Sequence, residues 1–240
     1  MSNKTKQRFG EKLEYLPPGI GPDARMLYGA HVNLQPLDTE RHGRALWEAF
    51  QAQGGEAVWD YLPYGPFATC DEFCACYDAL NAGGDPHFFA IIPKSTGLPA
   101  GVASYLNIVP VNGSIEIGHI NLSPSLQGTT AATEALFLMM RHAMDDLGNR
   151  RLEWKCNALN DGSKSAAERL GFTFEGIFRQ HMVVKGYNRD SAWFSIIDKE
   201  WSAIREAFFS WMHEDNFDAS GKQRKSLSSL TKQVLKSKKK

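Results

Sequence analysis

The sequence predicts an α/β (α+β) domain built on a mixed, mostly antiparallel central sheet with helices on both faces. Three observations carry this. Three β-rich runs, HFFAII (87–92), AGVASYLNIV (100–109) and SIEIGHINL (114–122), are separated only by the turn-forming Gly97-Leu98-Pro99 and Asn112-Gly113, so neighbouring strands return antiparallel. The last run passes through Ser123-Pro124 into a helical pattern of Ala135, Leu136, Leu138, Met139 and Ala143. A further strand, RLEWKC (151–156), and a short helix follow, so strand and helix alternate beyond the centre. At 240 residues and 42% hydrophobic composition the chain suits one domain with a sizeable core.

Taken in order, residues 1–30 read as a polar leader lying over the body, broken by Pro17-Pro18-Gly19 and Gly21-Pro22. Val32, Leu34 and Leu37 suggest the first strand. Asp38 can cap a helix reaching about Gln53, with Leu46, Trp47, Ala49 and Phe50 as its apolar face. The loop Trp59–Phe67 (WDYLPYGPF) is irregular and aromatic. Trp59 and Phe67 are expected to pack on the core, leaving Asp60, Tyr61 and Tyr64 as candidate acceptor contacts. Thr69 and Glu72 form a capping box for a second helix to about Ala82, with Phe73, Tyr77 and Leu80 inward. In the central strand Ile115 and Ile117 should face one way, and Glu116, Gly118 and Ile120 the other. Gly148-Asn149 ends the central helix. The residues from Asn160 to Ser163 open the short helix, and Gly171 stops it. A last helix from Asp198 to His213 puts Trp201, Ile204, Phe208 and Trp211 on one side. The boundaries are a leader (1–30), the domain (31–215) and a basic tail (216–240).

Formal net charge is zero, but eight basic and no acidic residues lie between Lys222 and Lys240, leaving 19 basic against 27 acidic residues before them. An acidic body suits a cationic acceptor such as an amine. The tail is expected to be a solvated end, although Leu227, Leu230, Val234 and Leu235 allow some amphipathic helix. Cys74-x-Cys76 is not a zinc spacing, and Cys70, Cys74, Cys76 and Cys156 form no disulfide framework. No apolar run approaches membrane-spanning length. The expectation is a cytoplasmic protein, monomer or homodimer, with no metal and neither membrane nor nucleic acid as partner.

The junction after the central strand reads QGTTAATEA. Small side chains there let backbone N–H groups approach an anion, and the following helix adds its positive N-terminal dipole, so a pyrophosphate is the natural guest. Gln127, Gly128, Thr129, Thr130, Ala131 and Ala132 resemble the Q/R-x-x-G-x-G/A acyl-CoA motif of the GNAT acetyltransferases, in the RimJ/RimL-like branch. Thr130 stands where the motif has glycine. Thr133-Glu134-Ala135 is usual in that branch. A second match is N-x-x-S followed by a helix ending L-G-F, here Asn160, Ser163, Leu170, Gly171 and Phe172. The resemblance covers about 31–201.

That resemblance implies a GNAT fold and transfer of acetyl from acetyl-CoA to an amine, either a small molecule or a protein N-terminus, in a ternary complex. It implies a central strand splayed from its neighbour, with Ile120 and Leu122 offering backbone groups to the pantetheine and an amide near Ile120 facing the oxyanion. Asn160 and Ser163 then lie near the thiol, and Ser163 can protonate the departing thiolate. An attacking ammonium must first lose a proton. Glu116, eleven places before Gln127, is the first candidate base and His119 its competitor. Tyr187 as acid and an acyl-Cys156 route rank below these. The alternative from another class is a CoA-binding module of the same fold that no longer catalyses.

Overall fold

The computed structural model describes residues 10–15, 17–219 and 221–237. Its eight strands are β1 (Leu27–Tyr28), β2 (Val32–Pro36), β3 (His87–Pro93), β4 (Gly101–Val109), β5 (Ser114–Leu122), β6 (Arg151–Asn157), β7 (Thr173–Val184) and β8 (Tyr187–Ile197). They form one sheet in the order β1-β2-β3-β4-β5-β6-β8-β7. Every neighbouring pair is antiparallel except β5–β6, which is parallel because the helix α3 (Thr130–Arg141) crosses between them.

Helices cover both faces. On one, α1 (Thr39–Phe50) and α2 (Cys70–Asn81) enclose Leu46, Phe50, Trp59, Phe73, Tyr77, Phe88, Ala90 and Val102. On the other, α3, α4 (Asp161–Leu170) and α5 (Asp198–Met212) pack over the larger core. The run HFFAII serves both: Phe88 and Ala90 enter the first cluster, Phe89 and Ile91 the second. Asp38 and Thr69 cap α1 and α2 by accepting from the Arg41 and Glu72 amides.

Helix α3 is buried on every side from Ala132 to Met140. The one charged residue in that buried stretch, Glu134, accepts from the Ala30 and His31 amides at 2.6 Å each. This clamps the turn between β1 and β2 to the central helix. The stretch expected as leader therefore ends in a strand, and Pro17 and Pro18 lie against Gly113 and Gly148.

A second difference lies in β5. Val102 pairs with Asn121 and Ser104 with Gly118, so Ala103 alone faces both His119 and Ile120. The extra residue is a bulge, and His119 takes φ +48°. The alternation changes phase there. His119 joins Glu116 on the α1–α2 face, stacking on Tyr64, whereas Ile120 packs on the α3 core, contrary to its expected side.

The third difference is the tail. Residues Leu227–Ser237 form α6, with Leu227 1% exposed in the main core, so the segment expected to be solvated is docked. The amphipathic stripe of Leu227, Leu230, Val234 and Leu235 is what seats it. Lys238–Lys240 lie outside the described residues.

Candidate active site

Parallel pairing between β5 and β6 lasts only from Ser114–Arg151 to Glu116–Glu153. Beyond it β6 pairs with β8 alone as far as Asn157, while β5 stays with β4. The two strands part, and a cleft of about 1370 Å³ opens between them, walled by Glu116–Leu122, Gln127–Thr130 and Trp154–Asn157. The bulge at His119 sits where β5 bends away.

At one end lies the loop before α3. The Gln127 amide donates to Ser123 O and the Thr129 amide to Leu126 O. Thr129 is the N-cap, its hydroxyl accepting from the Ala132 amide at 3.1 Å. Among the described residues the amides of Gly128, Thr130 and Ala131 find no acceptor, and Gly128 (φ +71°) lies open to the cleft. Three N–H groups at the mouth of a helix are thus available to an anion. Thr130 lines the cleft without consuming any of them. Gln127 has a different role from the one expected: its side chain donates to Leu122 O at 2.9 Å, taking up a carbonyl expected to be free for the pantetheine.

At the other end, where β5 and β6 part, sits Glu116, 4% exposed. Its carboxylate meets Lys155 Nζ at 2.8 Å and accepts from Asn107 Nδ2 at 2.6 Å. Burial raises its pKa, and the Lys155 charge and these two hydrogen bonds oppose the rise. Asn107 is aimed by its own bulge: the Asp85 carboxylate accepts from the Asn107 and Ile108 amides at 3.0 Å each, and Asn107 takes φ +48°. Lys155 Nζ also meets Glu153 at 2.9 Å and lies 3.9 Å over the Trp193 ring. His119 shares the face. Its Nδ1 is 2.9 Å from the Tyr64 hydroxyl, and burial, reinforced by the Arg189 charge, pushes its pKa down to about 4. It is neutral at neutral pH. Burial holds the Tyr64 phenol well above its usual range.

The chain matches the acetyltransferase (GNAT) domain family over residues 31–173. It belongs to the GNAT family. A GCN5-related N-acetyltransferase from Brucella melitensis is 44% identical with a TM-score of 0.87, covering 91% of this chain and 99% of that one. RimL, a ribosomal L7/L12 alpha-N-protein acetyltransferase in complex with coenzyme A, is 25% identical with a TM-score of 0.60, over 72% of this chain and 99% of its own. YdaF of Bacillus subtilis (strain 168), provisionally named a ribosomal N-acetyltransferase, is 29% identical over 105 residues, 44% of this chain and 57% of that protein.

Other expected residues of this GNAT domain divide. Asn160 caps α4, its oxygen accepting from the Ser163 amide at 2.9 Å, and Ser163 Oγ accepts from Trp154 Nε1 at 3.0 Å; both residues line the cleft. Tyr61 lines it too and donates to Leu159 O at 3.1 Å. Tyr64 lies behind His119 and supports it. Asp60 is a correction: the turn Glu56–Trp59 sends Trp59 into the core, so Asp60 follows on the exposed side, away from the cleft wall. Tyr187 is 78% exposed at the β7–β8 hairpin and is not part of the wall. Cys156 lines the cleft, but burial raises its thiol pKa, which disfavours the thiolate an acyl-cysteine route needs.

Lys155, Asn107, Arg169 and Arg189 were not anticipated. Among the described residues the Arg189 side chain reaches only Ser191 Oγ, at 3.2 Å, and that of Arg169 only Thr133 Oγ1, at 3.1 Å. Among the described residues Glu116 is the only carboxylate lining the cleft, against Lys155, Arg169, Arg189 and Lys222. The acidic body thus encloses a cationic cleft. Alternation in RLEWKC was the available signal: Leu152, Trp154 and Cys156 are buried, which leaves Arg151, Glu153 and Lys155 on the chemical face. No helix among the described residues is long and apolar enough to cross a membrane.

Proposed function

We propose that this GNAT protein acetylates the α-amine of a protein N-terminus from acetyl-CoA, by direct attack in a ternary complex. The observation that carries the proposal is one continuous cleft with unspent helix amides at one end and the buried Glu116 carboxylate at the other. The amides of Gly128, Thr130 and Ala131 hold the pyrophosphate, and the pantetheine runs between the parted edges of β5 and β6. The thioester then lies near Glu116. The Glu116 carboxylate, paired with Lys155 and oriented by Asn107, takes the ammonium proton directly or through one water. The Ile120 amide stabilises the oxyanion, and Ser163 Oγ–H donates to the leaving sulfur. His119, with its low proton affinity, shapes the acceptor pocket with Tyr61 and Tyr64 behind it.

The protein acceptor is supported by the likeness to RimL. One observation favours the rival, a CoA-binding module without turnover: Glu116 is already engaged by Lys155 and Asn107. Thiol release from acetyl-CoA, measured against peptides of differing N-terminal residue and against a panel of small amines, separates the two. The proposal expects release with at least one peptide. Release with small amines alone moves the acceptor assignment, and CoA binding with no release on any amine favours the module.

A further inference from the structure

We propose that the C-terminal segment 221–228 belongs to the coenzyme site and holds the 3′-phosphate of CoA, an inference that rests on the CoA assignment of the cleft. The cleft does not stop at the mouth of α3. Its wall continues through Arg169 of α4 to Lys222, Gln223, Ser226, Leu227 and Ser228.

The segment is fixed against that wall from behind. The buried Asn216 side chain donates to Lys225 O at 3.1 Å and accepts from the Lys225 amide at 2.9 Å. Trp211 Nε1 donates to Gln223 Oε1 at 2.7 Å. Thr231, fully buried, donates to Arg169 O at 3.2 Å, tying α6 to the helix that carries the arginine. A solvated tail would need none of these bonds.

Among the described residues no carboxylate lines the cleft at this end, and Asp218, in the turn before Lys222, accepts from the Lys222 amide at 3.0 Å. Arg169 is half-buried and, among the described residues, meets a hydroxyl but no carboxylate, and burial lowers its proton affinity. Lys222 makes no ion pair among the described residues, and the cleft's one carboxylate, Glu116, is paired with Lys155. The start of α6 adds to the field: Ser226 Oγ caps the Ser229 amide at 3.2 Å, and among the described residues the Leu227 and Ser228 amides find no acceptor. Two cations and two free amides facing one space call for an anion of high charge density.

CoA supplies one in the required place. With the diphosphate on the α3 amides and the pantetheine leading toward Glu116, the ribose and its 3′-phosphate leave the diphosphate in the opposite direction, toward Arg169 and Lys222. Trp211 and the half-buried Phe217 line the same end and offer apolar surface to the purine.

The test is calorimetric titration of the full-length protein with CoA and with 3′-dephospho-CoA, on the wild type and on Lys222→Glu, Ser228→Asp and Lys236→Glu. The wild type should prefer CoA by about tenfold or more. Lys222→Glu should erase that preference by weakening CoA alone, and Ser228→Asp should do the same while Lys222 is still present. Lys236→Glu, on α6 but outside the cleft wall, should change nothing. Equal wild-type affinity for the two ligands, or Lys222→Glu weakening both alike, overturns the inference and leaves the coenzyme assignment standing. Failure of CoA to bind the wild type overturns both. A salt-dependent association with single-stranded RNA, in a protein showing no preference for CoA over its dephospho form, assigns the cations to nucleic acid instead.

Discussion

The two ends of the cleft are built from different materials. The end before α3 is backbone: amides at a helix mouth, set in direction by a threonine cap and a glycine at positive φ. The end where β5 and β6 part is side chain: a carboxylate, an ammonium, an amide and an imidazole drawn from strands β4, β5 and β6 and held by a second set of bonds from Asp85 and Tyr64. A backbone site has fixed partial charges that do not titrate, which suits a ligand whose charge is constant at working pH. A side-chain site can exchange protons, which is what deprotonating an amine requires.

Substitutions at each end should therefore fail differently. The largest effect is expected from Glu116→Gln, which should lower kcat by about 10²–10³-fold with CoA affinity unchanged. The carboxylate acts only when ionised, so a raised pKa places the acidic limb of kcat/KM above the ordinary glutamate range, and the variant should lose that limb. A variant with wild-type turnover at every pH would remove Glu116 from the mechanism. Next is a stability effect confined to the titrating end. His119 is pushed down to about 4 in the folded protein, so as pH falls from about 6.5 the unfolded chain binds the proton first and stability is lost until about pH 4. The loss is up to about 3 kcal/mol. His119→Asn, which tolerates the positive φ, should flatten the melting temperature across that window. A slope equal to wild type assigns the acid sensitivity elsewhere.

The backbone end should respond only in binding. Gly128→Pro removes one free N–H and forbids φ +71°, and should weaken CoA by about tenfold while kcat at saturating coenzyme holds. Unchanged affinity in a variant that folds would refute the cradle. The smallest effect is Tyr64→Phe, which deletes the hydrogen bond to His119 and should cost about 1 kcal/mol in denaturant melts. A loss several times larger would mean that the hydroxyl does more than steady the ring.

The same division explains what could be read from the chain. The helix mouth was legible because its parts are contiguous: Gln127 to Ala132 are neighbours in sequence, and small residues before a helix have a direct physical meaning. The antiparallel run β3-β4-β5 was legible from turn residues, and both helix caps from Asp38 and Thr69. The ion pair was not. Glu116 and Lys155 meet only because a parallel crossover brings β6 beside β5, and Asn107 faces them only because Asp85 holds a bulge open. Nothing local in Asn107 announces either event. Charge misled in another way. Summed over the body it is negative, whereas the arginines and lysines that matter converge on one wall. The tail looked solvated because its lysines outnumber its leucines, yet a few leucines spaced along one helical face suffice to dock it.

The doubled residue opposite Ala103 makes the chemistry of β5 a matter of parity. Everything C-terminal to it is out of step with everything before it, so Glu116 and Asn121, five places apart, serve the same side of the sheet. Deleting His119 would restore an unbroken zigzag and leave Ile120, Asn121 and Leu122 on the sides they now hold, because Asn121 would still face Val102. In this strand, chain length between two points carries as much functional information as the residues that fill it.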